Sequence, residues 1–123
     1  MNKKLAVICL TAPLVLTLPG CLIVTEKHAS DSNQHSESER EQRNRAMIAS
    51  LTMSTSLPLV REQLGVPDFS ESVRIDGDDY QVLYYRTQRV KGDGLTTKDE
   101  CTPLVFEDQQ LIGSGQLALD RLH

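Results

Sequence analysis

The side chains that most often carry catalysis are few in this chain and lie far apart. The 123 residues include three cysteines and three histidines: Cys9, Cys21, Cys101, His28, His35 and His123. A nucleophile needs a base within hydrogen-bond reach, and a metal needs several ligands on ordered structure. His28 and His35 lie in a polar stretch without large apolar residues, and His123 ends the chain. We therefore predict no catalytic site, metal, cofactor or small-molecule substrate.

The chemistry that the sequence does indicate is acylation of Cys21. Two lysines precede an almost wholly apolar run over residues 5–18, and residues 18–20 read Leu-Pro-Gly. A basic start, a short apolar run and a small residue before the cut are typical of a secretory signal peptide. A cysteine directly after that small residue resembles the bacterial lipobox, in which the thiol receives a diacylglycerol before cleavage. The sequence therefore predicts a signal peptide at 1–20 and a lipid on Cys21 that anchors the chain to a membrane.

Two alternatives to lipidation remain for the N-terminal segment. Residues 5–24 carry no charge and are long enough to span a bilayer as an uncleaved helix. Ordinary secretory cleavage is the second alternative, although it needs a small residue where Leu18 stands. Pro19 also departs from the small or aliphatic residue that usually lies two places before a lipobox cysteine. For a lipoprotein, Leu22 rather than an aspartate after Cys21 favours sorting to the outer membrane, on its periplasmic face.

The charge balance of the mature chain argues against one class of partner, nucleic acids. Without the two lysines of the leader, 11 basic and 17 acidic residues give a net charge of −6. Nucleic-acid binding is not expected, because it requires basic side chains that neutralise phosphates.

Cys101 has no partner in the mature chain, since Cys9 leaves with the signal peptide and Cys21 carries the lipid. We predict that Cys101 is a small buried hydrophobe, with a reactive or intermolecular thiol as the alternative.

A flexible tether and then a folded domain are predicted after Cys21. Residues 25–38 are polar and lack large apolar side chains, so residues 21–38 are expected to form the tether and 39–123 the domain. Two overlapping Ser-x-x-Glu capping boxes at 36–41 predict the start of a helix that ends near Leu51.

A second helix and an antiparallel meander complete the predicted domain. The helix covers 57–64, with Ser56 as N-cap and Gly65 at its end. Strands are predicted at Tyr80–Val90, Pro103–Glu107 and Gln110–Leu119, with room for a short strand at Ser72–Ile75. Gly113 and Gly115 indicate a bulge or the close approach of another backbone. The fold class is therefore α+β, with two N-terminal helices on one face of a three-stranded antiparallel sheet.

The longest predicted strand carries large side chains on both faces. Val82 and Tyr84 point to one face, and Leu83 and Tyr85 to the other. Two helices cover only one face of a small sheet, so the other face should be open. We assign Tyr84 to the core. Tyr85, Leu83 and Arg89 then form the predicted partner-binding surface, since tyrosine buries much area yet keeps a hydroxyl for hydrogen bonding.

Several segments resemble known envelope lipoproteins. The stretch 56–67, a capped short helix that ends in Leu-Gly-x-Pro, and the strand 104–108 are similar to the SmpA/OmlA (BamE-like) family. The segments 83–90 and 100–103, which run from Tyr-Arg-Thr to Cys-Thr-Pro, more closely resemble a group of small uncharacterised Gram-negative lipoproteins of that fold. At 54–56 the chain reads Ser-Thr-Ser where BamE itself carries Gly-Met-Thr, and the usual tryptophan is absent.

The resemblance implies a function as well as a fold. We expect a non-enzymatic, lipid-anchored envelope protein that acts as a protein-interaction module in outer-membrane assembly or maintenance. Because the chain departs from BamE at these positions, the resemblance supports the fold more strongly than membership of the barrel-assembly machinery. The alternative is a small binding domain that holds a secreted enzyme or peptide on its open sheet face, an architecture that resembles β-lactamase inhibitor proteins.

Mass spectrometry of the mature protein tests the anchor. We expect Cys21 at the N-terminus with acyl chains attached, because its thiol and the amine freed by cleavage are the acylation sites. An intact Met1, or an unmodified N-terminus elsewhere, would contradict this prediction. Density-gradient fractions should place the protein with porins, and co-sedimentation with inner-membrane markers would rule out outer-membrane sorting.

Overall fold

The computed structural model describes residues 28–123, with side chains from Gln34 onward. Its elements are α1 (His28–Ser50), α2 (Leu57–Leu64), β1 (Phe69–Ile75), β2 (Asp78–Arg86), β3 (Cys101–Glu107), β4 (Gln110–Ser114) and α3 (Gln116–Asp120). The predicted signal peptide at 1–20 and the lipidation site Cys21 lie outside the described residues. None of the helices within 28–123 is long and apolar enough to cross a membrane.

The first helix begins earlier than the sequence predicted. Because α1 starts at His28, positions 28–38 of the predicted tether are helical. The predicted boundary between tether and domain after residue 38 is corrected accordingly. From Gln34 onward, the polar part of α1 carries contacts between polar side chains of the helix itself. His35 Nδ1, for example, lies 3.0 Å from Glu39 Oε1, one turn further along the helix.

The second helix matches its prediction at both ends. The Ser56 side chain caps α2 by accepting a hydrogen bond from the Leu59 N–H at 3.4 Å. Gly65 ends the helix with a φ of 80°, a conformation that favours glycine. Its N–H donates to the Arg61 carbonyl at 2.9 Å. Local residue types are therefore sufficient to specify this element.

The sheet has four strands in the order β1-β2-β3-β4, and all neighbouring pairs are antiparallel. The α+β class is confirmed, and the predicted count of three strands is wrong. The short strand considered at 72–75 is part of a full strand, β1. Two-residue turns with positive φ, at 76–77 and 108–109, join β1 to β2 and β3 to β4. Such turns match the right-handed twist of the strands that they connect.

The chain after β4 is the main departure from the predicted fold. The last strand ends at Ser114, and α3 stands where the sequence predicted strand as far as Leu119. Gly115 makes the break, with a φ of 86°. Alanine and leucine side chains of this C-terminal segment pack on the sheet. This packing gives the segment a role that its local sequence pattern does not reveal.

Both faces of the sheet are consequently covered. On the face toward α1 and α2, the core consists of Leu57, Val60, Leu83, Tyr85, Leu104, Phe106 and Leu111. On the face toward α3, it consists of Val82, Tyr84, Cys101 and Val105, with Phe69, Ala118, Leu119 and Leu122 packed against them. The mixed alternation of the long strand reflects two cores rather than one core and one open face.

The predicted orientation of the two tyrosines is therefore wrong in part. Tyr85 and Leu83 are each 1% exposed in the core under the helices, so they do not form a partner-binding surface. The Tyr85 hydroxyl donates to the Gly65 carbonyl at 2.9 Å, and burial raises the pKa of Tyr85 to about 12. Tyr84 is buried, as predicted, but under α3. Arg89, the third residue of the predicted surface, is exposed.

Gly113 allows α3 to lie close to the sheet. The pairing of β3 with β4 shifts register between Val105 and Phe106, which places a bulge next to this glycine. A Cβ atom at Gly113 would lie 2.8 Å from the Cβ of Ala118. The predicted bulge or close approach is thereby confirmed at Gly113, with a helix as the neighbour.

Replacement of Gly113 tests this contact. Gly113→Ala should lower the free energy of unfolding by about 1–3 kcal/mol, because the new methyl group overlaps Ala118. Thermal denaturation measures the change. Ala118→Gly in the same chain removes the overlap, so the double variant should lose less than the sum of the two single variants. Fully additive losses would show that the contact does not limit the approach of α3.

Candidate functional site

The end of β2 carries a charge cluster, in which Arg86, Glu41 and Glu100 are buried and Glu37 is partly exposed. Arg86 Nε lies 2.8 Å from Glu41 Oε1 and 3.4 Å from Glu37 Oε2. Arg86 Nη2 lies 3.3 Å from Glu100 Oε2, and Nη1 donates to the Thr96 hydroxyl at 2.8 Å. Three carboxylates from two parts of the chain therefore converge on one guanidinium group.

Glu100 connects the cluster to the long loop between β2 and β3. Its side chain is fully buried at the end of a single 3-10 turn, Lys98–Glu100. Oε2 accepts a hydrogen bond from the Val90 N–H at 3.1 Å, and Oε1 accepts bonds from the Thr97 N–H at 3.3 Å and hydroxyl at 3.0 Å. The Val90 bond, above all, holds the pKa of Glu100 below its ordinary value against the opposing effect of burial. The loop is thus folded around a charged carboxylate.

Polar contacts also attach α1 to the end of β2. Asn44 Nδ2 donates to the Arg86 carbonyl at 2.8 Å. The Asp68 carboxylate accepts a hydrogen bond from the Arg86 N–H at 2.8 Å and pairs with Arg40 of the helix. Apolar packing of α1 against the core lies at its C-terminal end, at Ile48. The middle of the helix is therefore positioned by charge and hydrogen bonding.

A groove of about 630 Å³ lies above the charge cluster, between α1 and the loop that follows β2. This α1–loop groove is lined by Glu37, Glu41, Arg86, Arg89, Lys91 and Gly92, among others. Arg89 and Lys91 have no ion-pair partner in the part of the chain that has been described. Glu37 Oε2 is a buried atom that accepts no hydrogen bond there, but it lies 3.4 Å from Arg86 Nε and 3.5 Å from Arg40 Nη1. The carboxylates that line the groove are therefore paired within the fold, whereas its two loop cations are not.

Cys101 does not form a catalytic pair with His35 or His123, the histidines whose side chains are described. Cys101 is buried, as predicted, and its desolvation raises the thiol pKa to about 12, so the thiol stays protonated. Its Sγ donates to the Thr97 carbonyl at 3.5 Å. His35 is exposed on α1 beside Glu39, and His123 is exposed at the C-terminus.

One acidic cluster lies at the turns, away from the α1–loop groove. Carboxylate oxygens of Asp78, Glu107 and Asp108 lie within 4.8 Å of one another. Strand register brings these residues together, so the sequence alone does not reveal them. The two aspartates are exposed, and nothing else at this corner indicates a ligand.

Sequence reasoning found one residue of the α1–loop groove and missed the charge cluster beneath it. Arg89, predicted to bind a partner, lines the groove, whereas the other two predicted residues lie in the core. Local patterns do not reveal Arg86, because its partner Glu41 is 45 residues away in the chain. The available signal is the spacing of Glu37 and Glu41, which places two carboxylates on one helix face.

Removal of Arg86 tests the energetic role of the cluster. Arg86→Met should cost about 3–5 kcal/mol of stability, because it leaves the carboxylates of Glu41 and Glu100 buried without their cation. Arg74→Met is the matched control. Arg74 pairs with Asp79 at 2.7 and 2.9 Å, but both side chains are exposed. This variant should therefore lose little stability. Urea denaturation at neutral pH measures both. Equal losses would contradict the special role of Arg86.

Comparison with known proteins places the chain in a family. A family model described as "Protein of unknown function (DUF3192)" matches residues 19–121, which include every helix and strand from α1 to α3. No curated protein and no solved structure matches the chain significantly. Because the match covers most of the sequence, the chain belongs to the DUF3192 family.

Proposed function

We propose that the protein is a non-enzymatic, lipid-anchored envelope protein of the outer membrane that acts as a protein-interaction module on the periplasmic side. The signal-peptide pattern and the Gly-Cys pair at 20–21 support the anchor. The capped helix α2, its Leu-Gly-x-Pro end and the antiparallel sheet that follows are the features on which the BamE-like resemblance rests. That resemblance favours a role in outer-membrane assembly or maintenance.

The observation that carries the proposal is an asymmetry between the two edges of the sheet. The segment before α2 closes the β4 edge: the Ser54 N–H donates to the Leu111 carbonyl at 2.8 Å, and the Leu111 N–H donates to the Thr55 carbonyl at 2.9 Å. A further bond joins Leu57 to Gln109 at 2.8 Å. The outer edge of β1 has no such backbone partner within 28–123. With both faces covered, this edge is the open part of the sheet.

The β1 edge lacks the features that usually prevent strand pairing. It contains neither proline nor glycine, and it pairs with β2 without a register shift. Its two charged side chains already have partners beside them: Glu71 pairs with Lys98, and Arg74 pairs with Asp79 across β2. The five residues 70–74 are all exposed. A row of free backbone groups is therefore accessible to an added strand.

The side chains of β1 indicate which strand would fit. Phe69, Glu71 and Val73 alternate on the face toward α3, where Val73 is 42% exposed. Ser70 and Ser72 lie on the opposite face. An extended partner segment with apolar residues at alternate positions would place them beside Val73, while its backbone extends the sheet. The partner is thus an extended polypeptide segment. The alternative role, holding a secreted enzyme or peptide, would use the same edge, since the sheet faces are covered.

A charged substitution on the edge tests the proposal. Val73→Lys in the full lipidated chain should weaken partner recovery from detergent-solubilised envelopes by about tenfold, because a lysine on the edge opposes strand pairing. Val66→Lys is the matched control, since Val66 is 89% exposed and lies outside the strand. Melting temperatures of both variants check that the fold is retained.

The identity of the recovered protein separates the two roles. Barrel-assembly components support the envelope-assembly role, and a soluble secreted enzyme supports the inhibitor role. Equal recovery by the Val73→Lys and Val66→Lys variants would exclude the β1 edge as the interaction surface.

A further inference from the structure

The backbone of β1 presents unused hydrogen-bonding groups at alternate residues. The two-residue turn at 76–77 makes Ile75 and Asp78 a hydrogen-bonded pair, and such pairs recur at every second residue of an antiparallel ladder. The odd-numbered residues of β1 therefore point their backbone groups toward β2. The even-numbered residues point theirs to the open edge, where they have no backbone partner within 28–123: Ser70, Ser72 and Arg74.

We propose that the open β1 edge pairs with the β1 edge of a second copy of the chain, antiparallel and about a twofold axis at Ser72. This inference rests on the proposed function, since it names the extended segment that the edge would bind. A twofold axis perpendicular to the sheet brings identical edges together, and it keeps the face toward α3 on the same side in both copies. The two four-stranded sheets then form one continuous sheet.

An axis at Ser72 uses the whole exposed edge. Ser72 lies opposite the partner's Ser72, and Ser70 lies opposite the partner's Arg74. These pairs are of the hydrogen-bonded kind, so the unused N–H and C=O groups of all three residues find partners. The residues that pair in this way, 70–74, are also the residues of β1 that are all exposed in the single chain.

The placement of charges along β1 selects this register. Glu71 lies opposite the partner's Val73, so neither charged residue of the edge directly faces its own copy. A shift of one pair in one direction would put Glu71 opposite the partner's Glu71, and like charges in that position are destabilising. A shift the other way would bring Ser70 against Asp76 of the turn, where the strand has ended, so fewer backbone groups would pair.

Two ion pairs within each copy keep the junction free of net charge. The mature chain is acidic, which opposes self-association through most of its surface. At the β1 edge, however, Glu71 is paired with Lys98, and Arg74 is paired with Asp79. The surface that would meet its own copy is therefore locally neutral, and this favours a second copy as the partner.

Cysteine cross-linking of the full lipidated chain in liposomes tests the register. Across the axis, the two Cα atoms at position 72 would lie about 5.5 Å apart, within the range of a disulfide. Ser72→Cys should therefore form a covalent dimer when diamide is added as the oxidant. Ser70→Cys is the matched control on the same strand and face, because its two copies would lie about 14 Å apart. We expect cross-linking of Ser72→Cys to be about tenfold faster than that of Ser70→Cys, since only the first pair is within reach.

The unsubstituted chain controls for the native thiols. Cys101 is buried, and Cys21 carries the lipid under the proposed function. The unsubstituted chain should therefore stay monomeric on a non-reducing gel after the same treatment with diamide.

Charges at position 70 test the pairing independently of disulfide geometry. In the Ser72→Cys background, Ser70→Glu should speed cross-linking about threefold, and Ser70→Lys should slow it about threefold, because position 70 faces the partner's Arg74 on both sides of the axis. Ser70 is exposed, so both variants should keep the fold, and their melting temperatures check this.

Failure of this inference and failure of the proposed function give different results. Equal cross-linking of Ser72→Cys and Ser70→Cys, or a response at position 70 that does not depend on the sign of the charge, would overturn the second copy as the partner. If Val73→Lys still weakens recovery of another envelope protein in that case, the edge binds a different strand and the proposed function stands. Specific cross-linking of Ser72→Cys, together with equal recovery by the Val73→Lys and Val66→Lys variants, would support the dimer and exclude the edge as the site for other proteins.

Discussion

The ion pairs of Arg86 with Glu41 and Glu100 join three elements of the fold at one buried point. Glu41 belongs to the polar part of α1, Arg86 ends β2, and Glu100 closes the loop that leads into β3. Charges in such a position lose hydration, and their mutual attraction compensates only when the geometry is good and the remaining hydrogen bonds are made. Here the Val90 and Thr97 bonds to Glu100 meet that condition. The cluster therefore favours one arrangement of helix, strand and loop, and its side chains line the α1–loop groove.

A sheet of four short strands has two faces to cover, and this chain covers them unequally. Two helices bury one face around Tyr85 and Phe106, while a five-residue helix and the C-terminal leucines bury the other around Tyr84. The second cover depends on the missing side chain at Gly113, since any larger residue would hold the helix away. A domain of this size gains stability from both faces, because one small core rarely suffices.

Elements set by neighbouring residues could be predicted, and those set by distant contacts could not. The limits of α2 follow from Ser56 and Gly65, which act within one turn of the helix. The end of β4 does not follow from local pattern, because residues 116–119 continue the apolar character of a strand and become helical where they pack on the sheet. Likewise, a polar helix with few apolar residues resembles a tether until the ion pairs with Arg86 are known. The orientation of Tyr85 was wrong for the same reason: alternation gives two faces but does not say which elements cover them.

Under the proposed lipidation of Cys21, the attachment of α1 would limit how far the domain lies from the membrane. The helix spans about 35 Å over its 23 residues, and the contact of Arg40 with Asp68 lies about 18 Å along it from His28, just before β1 begins. Between Cys21 and His28 the chain can extend at most about 25 Å. With a lipid on Cys21, the start of the β1 edge would stay within about 45 Å of the bilayer surface. Under the proposed lipidation, this distance would restrict partners to the neighbourhood of the membrane, and the confinement would raise their local concentration relative to a freely diffusing domain.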